Sequence, residues 1–175
     1  MAVELVYETH STSVDNERGI ATGWLDGELS ERGREQARAL GRRRRDADVV
    51  YASDLGRAVE TAEIAFGGTL IPVHLDPRLR ECDYGELNGR PVAEIEAERL
   101  RRVDEPFPGG QSYRDVVEQT RGLLDDIAAG HGQRVVVIAH SANRWALQHL
   151  LEGTPLEELV AAPFEWQEGW LFAIA

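Results

Sequence analysis

Two histidines each stand directly after an apolar run, and these positions are the best equipped for chemistry. His10 follows Leu5-Val6-Tyr7 and sits among the hydroxyls of Thr9, Ser11, Thr12 and Ser13, with Asn16 and Thr22-Gly23-Trp24 downstream. His140 follows Val135-Val136-Val137-Ile138-Ala139, a continuous apolar run. Imidazole is neutral and nucleophilic near pH 7 and can carry a covalent intermediate. Arg57, in Ser53-Asp54-Leu55-Gly56-Arg57-Ala58, falls near the start of a helix, on the side where a buried face would favour Ala or Leu. A guanidinium there points to an anion site. The plainer alternatives are a His10 that only caps a strand and an Arg57 paired with Asp54 or Glu60.

The chemistry requires elements that bring these groups together. Residues 5–7, 49–52, 71–75, 135–139 and 170–174 read as short strands. Residues 135–139 are of the type buried on both faces of a sheet. Helices are expected behind Ser30, with Ala37, Leu40 and Gly41 on one face, and from Ser53-Asp54 to Gly67-Gly68. Further helices are expected from Ser112, with Asp115 completing the cap, to Gly130, and over residues 142–151. The basic run Arg42 to Arg45 reads as a solvated helix end, where cations suit the macrodipole. Residues 91–102 are strongly charged and read as an exposed helical cover.

Strand alternating with helix predicts a three-layer α/β/α sandwich with a mostly parallel sheet. In such a sheet the carboxyl ends of parallel strands share one edge, so the two imidazoles would meet there. The chain is read as one domain over residues 1–175, with residues 76–110 as an insertion over the active edge.

Composition narrows the function classes. A net charge of −12 argues against nucleic acid or an anionic membrane as partner. All nineteen basic residues are arginine, which excludes lysine-based mechanisms. The lone Cys82 makes neither an internal disulfide nor a thiolate metal cluster. With no membrane-length apolar run and no signal-like start, a cytoplasmic location is expected.

Taken in order, the blocks strand-His10-Asn16-Gly23-Trp24, Leu29-Ser30-Glu31-Arg32-Gly33, Ser53 to Ala62, Leu79 to Gly89, Pro108 to Ser112 and strand-His140 resemble the histidine phosphatase superfamily. That family includes the cofactor-dependent phosphoglycerate mutases, and the resemblance runs over residues 3–153. It implies a phosphoglycerate mutase-like fold and a two-step phosphoryl transfer without metal or other cofactor. His10 would attack phosphorus to give a phosphohistidine, which water then hydrolyses. Arg57, Asn16 and His140 would hold the phosphoryl oxygens, where such catalysis gains most of its rate. Glu81 would protonate the leaving alkoxide and then activate water, which calls for a raised pKa. Thr22, Gly23 and Tyr84 are further candidates for the pocket, Tyr84 with packing beneath the loop as its alternative.

The departures bear on activity. Thr9-His10-Ser11 stands where the family has Arg-His-Gly, so the first phosphate-binding arginine is missing. Charge-assisted hydrogen bonds contribute roughly 1.5–3 kcal/mol each, so losing a bidentate pair would cost about two to four orders of magnitude in rate. Arg144, four residues past His140, is the first candidate to replace it, ahead of Arg18 and Arg80. The hydroxyls of Thr9, Ser11 and Thr12 can donate hydrogen bonds without charge.

The remaining features read as structural. His74, His131 and His149 are assigned to packing, and Cys82 to burial as a small apolar residue. Phe164, Trp166, Trp170 and Phe172 read as core and sheet edge, with a homodimer surface as the alternative. The leading expectation is a phosphatase acting on a small phosphorylated metabolite. Its rivals are a catalytically weak or silent member that binds an anionic ligand, and a phosphomutase. The mutase is disfavoured by a short residue 90–110 segment without lysine.

Overall fold

A computed structural model describes residues 2–130 and 134–175, so the expectation for His131 falls outside the described residues. The chain runs β1 (Val3–Thr9), α1 (Val14–Arg18), β2 (Ile20–Ala21), α2 (Glu31–Arg43), β3 (Val49–Ala52), α3 (Gly56–Phe66) and β4 (Val73–Leu75). It continues through β5 (Arg90–Pro91), α4 (Val92–Glu98), α5 (Tyr113–Ala128), β6 (Arg134–Ala139), α6 (Ser141–Glu152), α7 (Leu156–Ala161) and β7 (Trp170–Ile174). The main sheet has the order β4-β3-β6-β1-β7, parallel except for β7, which lies antiparallel to β1.

Alternation along the central strands builds the three layers. Leu5 and Tyr7 of β1, with Val135, Val137 and Ala139 of β6, pack against Leu123, Leu124 and Ile127 of α5 and Leu147 of α6. Val6, Val136 and Ile138 point the other way, onto Leu40 of α2 and Ala58, Ala62, Ala65 and Phe66 of α3. Side chains of period 2 on the strands and 3.6 on the helices thus close a core on both faces. A third apolar cluster, including Ile95, Val103, Phe107, Tyr113 and Trp145, lies under the excursion between β4 and α5. Within that excursion β5 pairs with β2 as a small antiparallel ribbon.

Register decides what the sheet presents at its edge. Thr9 lies opposite Ala139, and the His10 amide donates to the Ala139 carbonyl at 3.0 Å. Ala52 lies opposite Ile138, and the Ser53 amide donates to the Ile138 carbonyl at 3.0 Å. His10, His140 and Ser53 therefore leave three adjacent strands at the same level. No helix among the described residues is long and apolar enough to cross a membrane.

Several elements differ from the sequence reading. The α3 helix starts at Gly56, later than the predicted Ser53-Asp54, because Ser53 Oγ accepts from the Leu55 amide and meets His140 instead. Helix α1 was not anticipated; its Ser13 and Asn16 form a reciprocal capping box. Residues 91–102 are not merely a cover, since Ile95 and Arg102 are buried. Arg43 and Arg44 are not a solvated helix end. Both grip the carboxylate of Glu8, which is fully buried on β1, at 2.8–3.0 Å.

Candidate active site

A cleft of about 330 Å³ opens at the carboxyl edge of the sheet. His10 lines it, held by the backbone turn that follows β1. Its Nδ1 lies 2.8 Å from the Ser11 carbonyl, an acceptor only, so this nitrogen carries the proton. Nε2 is then the nitrogen with the free lone pair. The His140 ring packs against His10 with centroids 4.9 Å apart. His140 is itself sealed from solvent, with Nε2 2.9 Å from Ser53 Oγ and Nδ1 without a partner among the described residues. Its backbone is fixed by the Asn143 side chain, which accepts from the His140 amide at 2.9 Å.

Both imidazoles are held neutral. Burial, and secondarily the charge of Arg57, push the His10 pKa down to about 3. Burial, then Arg57 and His10, lower that of His140. A neutral His10 is the form a nucleophile needs. A cationic His140, which the family resemblance implies, requires an incoming anion to offset its desolvation.

Arg57 lines the cleft from the first turn of α3, where helix amides and guanidinium together favour an anion. Its two suspected partners are occupied elsewhere: Asp54 holds Arg80 through two bonds of 2.7 and 2.8 Å, and Glu60 holds Arg34. Arg57 Nη2 donates to the Gly23 carbonyl at 2.9 Å, while its buried Nη1 has no partner among the described residues. Glu81 also lines the cleft. Burial raises its carboxyl pKa, against the pull of the Cys82 amide and of the charges on Arg57 and Arg99. Trp24 holds the backbone there, its Nε1 donating to the Glu81 carbonyl at 2.7 Å.

The other expected residues divide. Thr9, Asn16, Thr22, Gly23 and Tyr84 line the cleft. Asn16 has spent its carbonyl oxygen on the Ser13 amide, so only its NH₂ group is free to face a ligand. The Thr22 hydroxyl donates to Asp15 at 2.7 Å. Tyr84 both lines the cleft and packs edge-on against Phe107. Ser11 lies outside the main cleft, in a neighbouring cavity of about 100 Å³ that shares Thr9 and Gln36 with it. Arg144 does not line the cleft. Its guanidinium stacks between Phe164 and Trp170, 5.5 and 4.8 Å from their centroids, behind the wall that Phe164 forms. Arg80 is tied to Asp54, and Arg18 is exposed on α1.

Four contributors were missed by sequence reasoning. Arg99 lines the cleft from the end of α4, although Val92, Ile95 and Arg99 at helical spacing were a legible signal. Phe164 and Trp166, read as core and edge, instead form part of the cleft wall. Gln36 lines the cleft from α2 and accepts from the Thr12 amide at 2.9 Å, which no local pattern marks. Cys82 is buried and His74 stacks on Tyr51, as expected. His149 binds the Thr154 carbonyl. Among the described residues, no three His, Cys, Asp or Glu side chains converge as a metal site.

A mostly parallel sheet whose edge sets His10 in one cleft with Arg57 and a buried carboxyl, with the His140 ring packed against His10 and outside the cleft lining, defines a class of phosphoryl-transfer folds. The chain belongs to the histidine phosphatase superfamily (branch 1), whose family model matches residues 9–166. It is 36% identical to phosphoserine phosphatase 1 of Hydrogenobacter thermophilus, over 89% of this chain and 79% of that protein. It is 33% identical to a 2,3-bisphosphoglycerate-dependent phosphoglycerate mutase of Methylobacterium sp., over 89% of this chain and 83% of that one. Among solved structures it resembles a mycobacterial glucosyl-3-phosphoglycerate phosphatase in complex with VO3, with 30% identity and a TM-score of 0.78 over 93% of this chain and 87% of that one. YhfR of Bacillus stearothermophilus is similar at 29% identity and a TM-score of 0.83, over 95% of this chain and 88% of that one.

Proposed function

We propose that the chain is a metal-independent phosphatase that hydrolyses a small phosphomonoester through a phosphohistidine on His10. The observation that carries this reading is the pairing of His10 Nδ1 with the Ser11 carbonyl. It leaves Nε2 as the lone-pair nitrogen of a ring that lines the same cleft as Arg57 and Glu81. Two relatives whose names give phosphatase activity support the direction.

Nε2 attacks phosphorus as the ester P–O bond breaks, and the Glu81 proton passes to the leaving alkoxide. The charge that develops on the ring is met at Nδ1–H by the Ser11 carbonyl. The unpaired Nη1 of Arg57 supplies a donor for the phosphoryl oxygens, whose charge peaks in the transition state. Glu81, now a carboxylate, takes a proton from water; the water oxygen bonds phosphorus, the P–N bond breaks, and neutral His10 returns. The raised Glu81 pKa keeps the acid form available for the first step.

One observation favours a second reading, a weak or silent member that binds an anion. Thr9 stands where an arginine is expected, and its buried hydroxyl has no partner among the described residues. An aryl phosphate assay in the presence of a chelator separates the two. Phosphate release by the wild type that disappears in His10→Ala supports hydrolysis at this site. Release that survives the substitution contradicts it.

A further inference from the structure

We propose that the small cavity beside the cleft receives hydroxyl groups of the substrate's alcohol, so that the preferred ester is that of a sugar or other polyol. This specificity rests on the phosphatase reading of the cleft itself. The cavity, of about 100 Å³, is lined by Ser11, Gln36, Ala39, Arg43, Trp166 and Glu168, and it joins the cleft over Thr9, Gln36 and Trp166. Thr9 and Ser11 flank His10 in the chain, so the cavity opens beside the nucleophile. Its polar groups offer both donors and an acceptor. Ser11 is buried, and its hydroxyl has no hydrogen bond among the described residues. Gln36 spends its carbonyl oxygen on the Thr12 amide at 2.9 Å and keeps its NH₂ group. Arg43 binds Glu8 through Nε and Nη2 and keeps Nη1. Glu168 keeps its carboxylate, since only its backbone carbonyl is engaged, by Arg44 Nη2 at 2.7 Å. Donors and an unmatched acceptor in one small space suit hydroxyls, which donate and accept together. A second anion is not called for, because Glu8 and Glu168 balance Arg43 and Arg44.

Trp166 supplies the apolar side. It lines both cavities yet is 55% exposed, and the Arg43 guanidinium stands 5.8 Å from its ring centroid. A guanidinium held by Glu8 thus fixes one side of the indole, and the C–H face of a sugar ring covers surface that is otherwise bare. The strap that carries Trp166 is itself pinned. Gly169 has a φ of 93°, and a Cβ there would overlap the Arg44 guanidinium. Such preorganisation lowers the cost of ordering a ligand.

The test compares glucose 6-phosphate with cyclohexylmethyl phosphate, which keeps the ring and lacks the hydroxyls, reading the ratio of kcat/KM. The wild type should favour the sugar ester by about 10- to 100-fold, the worth of roughly two to three net hydrogen bonds. Ala39→Leu, which fills the cavity from α2 with a good helix former, should bring the ratio near unity. Trp166→Leu and Glu168→Ala should each lower it by about three- to ten-fold. A wild-type ratio near or below unity overturns the proposal, as does a ratio that Ala39→Leu and Trp166→Leu leave intact. If these substitutions only loosened the strap, inhibition by inorganic phosphate would weaken and both esters would slow equally, which also overturns it. Calorimetric binding of the two esters to His10→Ala reads the same preference without turnover. Absent hydrolysis of both esters therefore counts against the phosphatase reading alone, while equal affinities count against the cavity.

Discussion

At the scale of single residues, several buried donors and acceptors are left without partners at one edge of the sheet. Arg57 has an unused Nη1, His140 an unused Nδ1 and Thr9 an unused hydroxyl, in a chain whose surface arginines are mostly paired. Thr9 is the informative one, because it stands beside a cavity of about 100 Å³ that it shares with Ser11, Gln36 and Arg43. There is room there for a longer side chain. Thr9→Arg is expected to raise kcat/KM toward aryl phosphates by about ten-fold or more, since one charge-assisted bond contributes roughly 1.5–3 kcal/mol. A variant that folds normally and gains nothing in steady-state kinetics would show that the pocket does not want that charge. His10 and Arg57 were legible in the sequence because each follows or opens an element of clear period, whereas Glu81 was reached only through the family resemblance. The place of Arg144 was not, because which way a first-turn helix residue leans depends on aromatic rings contributed by a loop and strand some twenty residues later.

At the scale of elements, the strands and long helices were legible because apolar period and caps announce them. Ser30 and Ser112 cap α2 and α5 as their sequences suggest. The excursion between β4 and α5 was the poor case, since its order comes from long-range backbone contacts. Its Gln111 side chain accepts from the Asp83 amide at 3.0 Å, and the Gln111 amide donates to the Asp83 carbonyl at 2.8 Å. Gly110 fits only without a side chain, because a Cβ there would overlap the Asp83 carbonyl oxygen. This clasp lies two residues from Glu81 and sets its reach. Gly110→Ala should therefore lower Tm by several degrees and lower kcat about ten-fold or more with little change in phosphate affinity. Unchanged kcat would separate the clasp from the position of Glu81. The Glu8 cluster shows the same limit from another side: a glutamate on a strand reads as its polar face until α2 brings Arg43 and Arg44 over it.

At the scale of the whole molecule, the site conflicts with stability in two opposite senses. His10 and His140 have pKa values below their unfolded value of about 6.5. Unfolding takes up protons there, so the stability they contribute is present above about pH 6.5 and lost as pH falls toward about 3. Glu81 has a raised pKa, so its contribution is lost as pH rises above the ordinary carboxyl range. Glu81→Gln is accordingly expected to raise Tm of the free protein near pH 8, and His10→Ala to flatten the loss of Tm between pH 6.5 and 4.5. An anion that charges His140 and protonates Glu81 brings protons with it. Phosphate binding should thus strengthen as pH falls from 8 to 6, until phosphate itself protonates, and calorimetry in buffers of different ionisation enthalpy should show net proton uptake. Proton release on binding would mean that the buried groups are not those the ligand meets. The three-layer architecture was readable from alternation alone. The electrostatic state was not, because burial of His10 and His140 depends on the register between β1 and β6, and burial of Glu81 on the excursion between β4 and α5.

The most direct measurement of the central claim is rapid acid-free quenching of the protein during aryl phosphate turnover, followed by peptide mass spectrometry. The account predicts one phosphoryl group on the peptide that holds His10, stable to base, lost in acid, and absent from His10→Ala. Turnover with no such adduct, or a phosphoryl group on another residue, would contradict it.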